Sequence, residues 1–193
     1  MNQNNCQNVS NYLTRFNEIL CEMANKMLSQ HTTNSITVNF ITCMIPHHQA
    51  AIYMCENLLK YTNYLPLIQI ANNIIKTQTE GIAQMKRILE TTQGYMNSNQ
   101  DVCSYMNEYL RITKNMITRM KNSPRCNNIN LDFTNEMIPH HEGAISMCHN
   151  LLKYCIDPRL KLVAENIISE QSQGVEQLKQ IRMNLCKSNE TGW

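Results

Sequence analysis

Two copies of the pentapeptide MIPHH contain the residues in this chain that are best suited to chemistry. They span Met44–His48 and Met137–His141, so the copies are 93 residues apart. Imidazole is the commonest metal ligand in proteins, and thioether sulfur suits soft ions such as Cu(I). The paired histidines make metal binding the first hypothesis, and no catalytic residue is predicted.

The sequence around the two pentapeptides is also duplicated. Residues 44–60 and 137–153 are identical at 13 of 17 positions. The same spacing pairs Ala71 with Ala164, Asn73 with Asn166, Ile74 with Ile167, Gln78 with Gln171, Gly81 with Gly174 and Gln84 with Gln177. We therefore predict one domain over residues 1–193, built from a first repeat at 9–93 and a second at 102–186.

On a helix, the paired histidines fall on an apolar face, whereas Asn57 falls on the opposite, polar face, which is expected to face solvent. The residues that share one seam with His47 are spaced four and three apart, and His48 lies in the adjoining row with Cys55. The second copy repeats both rows. The predicted ligands are four histidines and the sulfur residues on the same rows: His47, His48, His140, His141, Met44, Met54, Met137, Met147, Cys55 and Cys148.

An alternative role for these histidines is purely structural. A single buried histidine more often bonds a backbone carbonyl or an amide side chain, and Gln78 and Gln171 are available partners. A buried polar group without a partner costs ~1 to 3 kcal/mol, so each ring needs some partner. Adjacent histidines in both repeats favour metal binding over this alternative.

The elements that must position these residues are predicted to be helices. Only 5 Gly and 5 Pro occur in 193 residues, and no alternating apolar run indicates a strand. Pro46 either begins a helix or lies inside one. Six helices are expected: one capped by Ser10 and ending near Gln30, then 36–61, Pro66 to Thr92 with Gly94 after it, 102–121, 131–155 and 158–186.

The second and third helices of each repeat form a hairpin with one apolar face. Two such faces packed together give a four-helix bundle, with the first and fourth helices flanking it. The fold class is therefore all-α, and the two histidine pairs should lie near the bundle axis, related by a pseudo-twofold.

Composition excludes several partners. The balance of 17 basic against 15 acidic residues, without a basic run, argues against nucleic acid. No apolar stretch is long enough to span a membrane, and the polar N-terminus has no signal-like segment, so we expect a cytoplasmic protein. The 9 Cys are expected to be reduced. Six of them should be free thiols, mostly buried or incidental: Cys6, Cys21, Cys103, Cys126, Cys155 and Cys186.

The tandem pattern resembles the bacterial "domain of unknown function 305" family. The match rests on Phe-x-x-x-Met-x-x-His-His-x-x-Ala-x-x-Met, from Phe40 and again from Phe133, followed by Ala-x-x-Ile-x-x-x-Gln in each repeat. The resemblance implies a ferritin-like bundle, and some members are implicated in binding copper through Met and His. The family's usual carboxylates are replaced by Thr37, Asn130, Gly81 and Gly174.

The leading hypothesis is a protein that binds, buffers or sequesters Cu(I), because these replacements leave soft nitrogen and sulfur donors. Another transition metal is the alternative ligand. A structural or interaction bundle without metal is the second hypothesis. A ferritin-like di-metal oxidoreductase is the third and weakest, because no Glu-x-x-His ligand motif is present. Glu136 is expected to be solvated or to support the ligands from behind, and the oligomeric state stays open.

Overall fold

The structure is a computed structural model that describes residues 3–92 and 95–190. Its helices are α1 Gln3–Leu28, α2 Ile36–Leu59, α3 Leu65–Thr91, α4 Asn99–Lys121, α5 Ile129–Leu151 and α6 Pro158–Glu190. No strand occurs within the two described ranges. The all-α prediction is confirmed.

Local capping sets the starts of the two histidine helices. The Ser35 side chain accepts a hydrogen bond from the backbone N–H of Val38 at the start of α2. Asn128 does the same for the N–H groups of Asn130 and Leu131 at the start of α5. Each bond satisfies a donor that the first turn of a helix would otherwise leave without a partner.

Some predicted helix boundaries were wrong. α1 begins at Gln3, so Ser10 lies inside the helix and does not cap it. The preceding segment contains no Gly or Pro, and Val9 is already buried, so nothing ends the helix at Ser10. α6 continues to Glu190, beyond the predicted end at Cys186. The predicted stop at Gly94 lies outside the described residues.

Pro46 and its counterpart Pro139 both lie inside helices, which decides between the two alternatives for Pro46. A proline in a helix interior removes one backbone hydrogen bond, here to the carbonyl four residues earlier. Each proline directly precedes a histidine pair, so the helix lacks one internal bond next to the candidate site.

The helices form three layers of two. α2 packs on α3 and α5 on α6, and the repeats join through α3 with α6 and α2 with α5. These four helices make the predicted bundle. α1 covers α2, α4 covers α5, and the two covering helices also touch each other. α2 and α5 therefore form a middle layer that is buried on both sides.

Burial on both sides overturns the prediction that Asn57 faces solvent. Its side chain is buried and donates a hydrogen bond to the carbonyl of Tyr12 in α1 at 3.0 Å. Asn150 donates to the carbonyl of Tyr105 in α4 at 3.1 Å. The same bond occurs in both repeats at a spacing of 93 residues, which supports the pseudo-twofold arrangement.

Glu136 is buried, so the prediction that it is solvated was wrong. Its carboxylate accepts a hydrogen bond from the hydroxyl of Tyr12 at 2.6 Å and pairs with Arg125. Burial raises the pKa of Glu136 to about 7, although Tyr12 and Arg125 act to lower it. The group joins α1, the α4–α5 loop and α5, and the equivalent position in the first repeat is Cys43.

The six cysteines predicted to be incidental free thiols are free, but none of them is buried. All six are exposed: Cys6, Cys21, Cys103, Cys126, Cys155 and Cys186. No helix within the described ranges is both long and apolar enough to cross a membrane.

Replacing the buried carboxylate should destabilise the fold. Glu136→Ala leaves the Tyr12 hydroxyl and Arg125 without their shared partner, so we expect the free energy of unfolding to fall by about 2 kcal/mol or more. Urea denaturation followed by circular dichroism measures this change. In the control, Glu108→Ala removes an exposed pair with Arg111 and should cost less than about 1 kcal/mol. Equal losses would contradict a structural role for Glu136.

Candidate functional site

The four histidines of the two pentapeptides lie in the centre of the middle layer. All four side chains are buried, and none is more than 2% exposed. They form a row in the order His48, His47, His140 and His141, with centroid distances of 6.0, 3.7 and 5.9 Å between neighbouring rings. The predicted position near the bundle axis is correct.

The inner pair is held by reciprocal bonds across the α2–α5 contact. The His47 and His140 rings are stacked with an interplanar angle of 26°. Nε2 of His47 lies 3.3 Å from the carbonyl oxygen of His140, and Nε2 of His140 lies 3.2 Å from that of His47. Since a carbonyl only accepts, each Nε2 carries the hydrogen and donates it. Nδ1 of each ring is then the nitrogen with the free lone pair.

The outer pair faces the glycines of α3 and α6. A Cβ atom added at Gly81 would lie 3.1 Å from both Cδ2 and Nε2 of His48. One added at Gly174 would lie 2.8 Å from Cδ2 and 3.0 Å from Nε2 of His141. The two mid-helix glycines therefore make room for the outer imidazoles.

Burial keeps all four rings uncharged. It lowers the pKa of His48 to about 3 and that of His140 to about 4. For His47 and His141 burial again has the largest effect, and neighbouring histidines lower the pKa further. Two imidazolium ions could not stack at 3.7 Å without strong repulsion, so the geometry of the inner pair also requires neutral rings.

Six buried atoms around this row have no hydrogen-bond partner. They are Nδ1 of all four histidines and Oε1 of Gln78 and Gln171. The amide–imidazole bonds expected for a purely structural core are therefore not formed at Nδ1. Each Nδ1 of the inner pair has a free lone pair, and each Oε1 is an acceptor. This donor set fits a cation, because acceptors without hydrogen donors can be satisfied together by a positive ion.

The predicted sulfur ligands are buried on the same two helices but at different distances from the histidines. Met44 and Met137 lie three residues before His47 and His140. The other sulfur residues lie seven residues beyond a histidine, about 10 Å along a helix axis. They are Met54, Met147, Cys55 and Cys148. Burial strongly raises the pKa of Cys55 and Cys148, so both are protonated thiols.

No preformed cage of charged ligands is present in the described part of the chain. Among the His, Cys, Asp and Glu side chains there, no three are close enough together to hold a metal ion. This statement does not cover Met and Gln side chains. Glu136 is the carboxylate one turn before His140, and its two oxygens are bonded to Tyr12 and Arg125. The structure therefore brings together a row of neutral imidazoles, with the buried Met44 and Met137 one turn before the inner pair on the same helices.

Two further residues near the row were missed by the sequence analysis. Thr77 in α3 and Glu170 in α6 line the cavities that reach His141 and His48. They occupy equivalent positions in the two repeats, 93 residues apart, but differ in residue type. Counting the residues that are identical in the two repeats therefore overlooks them. The spacing of 93 residues could have identified them as equivalent positions.

The comparisons with known proteins identify one family. The model of the family described as "Domain of unknown function (DUF305)" matches residues 14–89 and residues 37–182. The second match includes both pentapeptides. No curated protein and no solved structure matches the chain.

The metal-free protein should lose stability in mild acid. A histidine has an ordinary pKa of 6.5, and the folded pKa is about 3 for His48 and about 4 for His140. Below pH 6.5 the unfolded chain takes up protons that the folded chain does not. The free energy of unfolding should therefore fall between pH 6.5 and about 4, by about 1.4 kcal/mol per pH unit for each such histidine.

Urea denaturation at several pH values, with a chelator present, measures this slope. A His48→Leu, His141→Leu variant should flatten it, because two of the titrating groups are gone. His149→Leu removes an exposed histidine and serves as the control. A slope that does not change in the double variant would show that the outer rings do not titrate on unfolding.

Proposed function

Since the chain belongs to the DUF305 family, a family without an assigned function, we propose that it binds copper as Cu(I) and buffers or sequesters it. The observation that carries the proposal is the row of four buried, neutral imidazoles whose Nδ1 atoms have no partner. A structural core would pay ~1 to 3 kcal/mol for each buried acceptor left in this state. A bound cation would offset that cost.

The charge balance of the site favours a monovalent ion. The imidazoles are neutral, the thioethers carry no charge, and the buried thiols are protonated. Moving an ion into a buried site costs free energy that rises with the square of its charge, roughly fourfold from a monovalent to a divalent ion. Without a nearby anionic ligand, Cu(I) is favoured over Cu(II), and soft nitrogen and sulfur donors favour it again.

The inner histidines and their nearest sulfurs are the first ligands in this proposal. Nδ1 of His47 and His140 would hold the ion with Met44 and Met137, and His48 and His141 would supply further nitrogen. Cys55 and Cys148 would have to release a proton to bind, so their contribution would increase with pH. Met54 and Met147, which like the two thiols lie about 10 Å further along the helices, are the outer members of the proposed donor set. The proposed function is to retain copper, so no catalytic step is assigned to the metal.

A structural role for the histidines is the competing candidate. The reciprocal bonds between each inner Nε2 and the opposite carbonyl clamp α2 to α5 without any metal. In that case added metal would leave the melting temperature unchanged, since only a ligand that binds the native state raises it.

A cytoplasmic location is part of the same proposal. Cu(I) and reduced thiols are stable together in a reducing compartment, and all nine cysteines are free. In an oxidising compartment, the six exposed cysteine thiols would be open to oxidation.

Cu(I) titration of the metal-free protein under anaerobic conditions tests the proposal. The protein should bind Cu(I) tightly and gain several degrees in melting temperature. The His47→Ala, His140→Ala variant should lose at least 100-fold in affinity, that is, about 2.7 kcal/mol or more of binding free energy, because both inner nitrogens are removed.

The matched control also removes two histidines. His31→Ala, His149→Ala changes two exposed residues and should bind Cu(I) as the original protein does. Unchanged affinity in the His47, His140 variant would rule out the inner pair as ligands. No binding to the original protein would leave the structural role as the better explanation.

A further inference from the structure

Two narrow clefts between α3 and α6 lead to the outer histidines. One has a volume of ≈ 60 Å³ and reaches His141, and the other has a volume of ≈ 30 Å³ and reaches His48. A water molecule takes up about 30 Å³ of liquid. The clefts therefore have room for one or two waters or a small ion, and are too small for an organic substrate.

The clefts are related by the same pseudo-twofold as the histidines. Gly81, Gln84 and Asn166 line the cleft to His48, and their counterparts Gly174, Gln177 and Asn73 line the cleft to His141. Thr77 and Glu170 line both clefts, as expected for equivalent residues of α3 and α6 that face each other. A single substitution at either position therefore alters both clefts.

The inner wall of each cleft contains an outer imidazole that lies against a glycine. In one cleft it also contains two side chains with no hydrogen-bond partner. The glycine of each cleft lies against the Nε2 edge of the outer imidazole. The cleft to His141 is also lined by Gln78 and Gln171, which are 2% and 1% exposed and whose Oε1 atoms have no hydrogen-bond partner. Unpartnered acceptors beside a channel can help a cation to shed its water.

The charge at the clefts is negative. Glu170 lines both clefts, and Glu80 lines the cleft to His48. Partial burial raises the pKa of Glu170, and the nearby Glu80 carboxylate raises it further. Neither Lys nor Arg is among the described residues that line these clefts. A negative cleft with low-dielectric walls raises the local concentration of cations.

We propose that the two clefts are the entrance by which a transition-metal cation reaches the buried imidazoles, and that Glu170, assisted by Glu80, captures the ion at their mouth. The ion then passes the glycine to the outer imidazole of either repeat. The destination of the ion rests on the proposed copper-binding function, whereas the entrance itself is a property of α3 and α6. Two experiments separate these parts.

The first experiment measures the rate of copper uptake. Cu(I) is transferred from a chromogenic chelator to the metal-free protein, and the loss of chelator colour is followed by stopped flow. Glu170→Lys places a positive charge at the mouth of both clefts, so we expect uptake to slow about tenfold. Glu165→Lys makes the same change at an exposed position of α6 that lines neither cleft, and should leave the rate unchanged. Equal rates in the two variants would overturn the capture role.

The second experiment needs no metal. Hydroxyl radicals, which are about the size of a water molecule, oxidise imidazole rings that solvent can reach, and mass spectrometry reports the modified histidine. Thr77→Phe narrows both clefts and should slow modification of His48 and His141 several-fold. Thr79→Phe adds the same ring at an exposed position of α3 and serves as the control. If His48 and His141 are modified at the same rate in Thr77→Phe and in the control, the clefts are not the entrance.

The two experiments fail in different ways. If the protein does not bind Cu(I) at equilibrium, the proposed function is wrong. The modification of the outer histidines would still show whether the clefts are the entrance. Circular dichroism checks that each variant is folded. If Thr77→Phe does not fold, Glu170→Trp narrows the same clefts from an exposed position of α6 and takes its place.

Discussion

The structure depends on the burial of four uncharged imidazoles where α2 crosses α5. Stacking at 3.7 Å and the two Nε2–carbonyl bonds require neutral rings in the inner pair, so the surroundings must exclude water and charge from His47 and His140. The other layers meet this requirement. α1 and α4 close one side of the middle layer, and α3 and α6 close the other, with a glycine opposite each outer ring.

The same arrangement leaves six buried polar atoms around the row without partners, which a fold selected for stability alone would avoid. The buried carboxylate of Glu136 shows the contrast, since both of its oxygens have partners in Tyr12 and Arg125. Other buried atoms also lack partners, among them Oδ1 of Asn57 and Asn150, whose Nδ2 groups join helices. The six atoms around the row differ because they are concentrated on and beside four neutral imidazoles, and this concentration is the physical basis for proposing a bound cation.

Much of the fold follows from local sequence. Scarce Gly and Pro and a sustained helical period predicted six helices, and the repeat spacing predicted how the halves pair. The errors came from burial by a third layer. Asn57 reads as an outward residue when only one face of α2 is expected to be covered, but α1 covers the second face and accepts its hydrogen bond. Glu136 was misjudged for the same reason.

The sequence by itself determined the repeat, the helical class, the family and the inward position of the histidines, because periodicity along a helix decides which residues share a face. Only the tertiary structure decided which ring nitrogen is bonded, which acceptors lack partners and where the clefts open. These features depend on residues far apart in the chain, such as His47 in contact with His140, and Thr77 and Glu170, which line the same clefts. The distances in such contacts are set by helix packing, which periodicity alone does not fix.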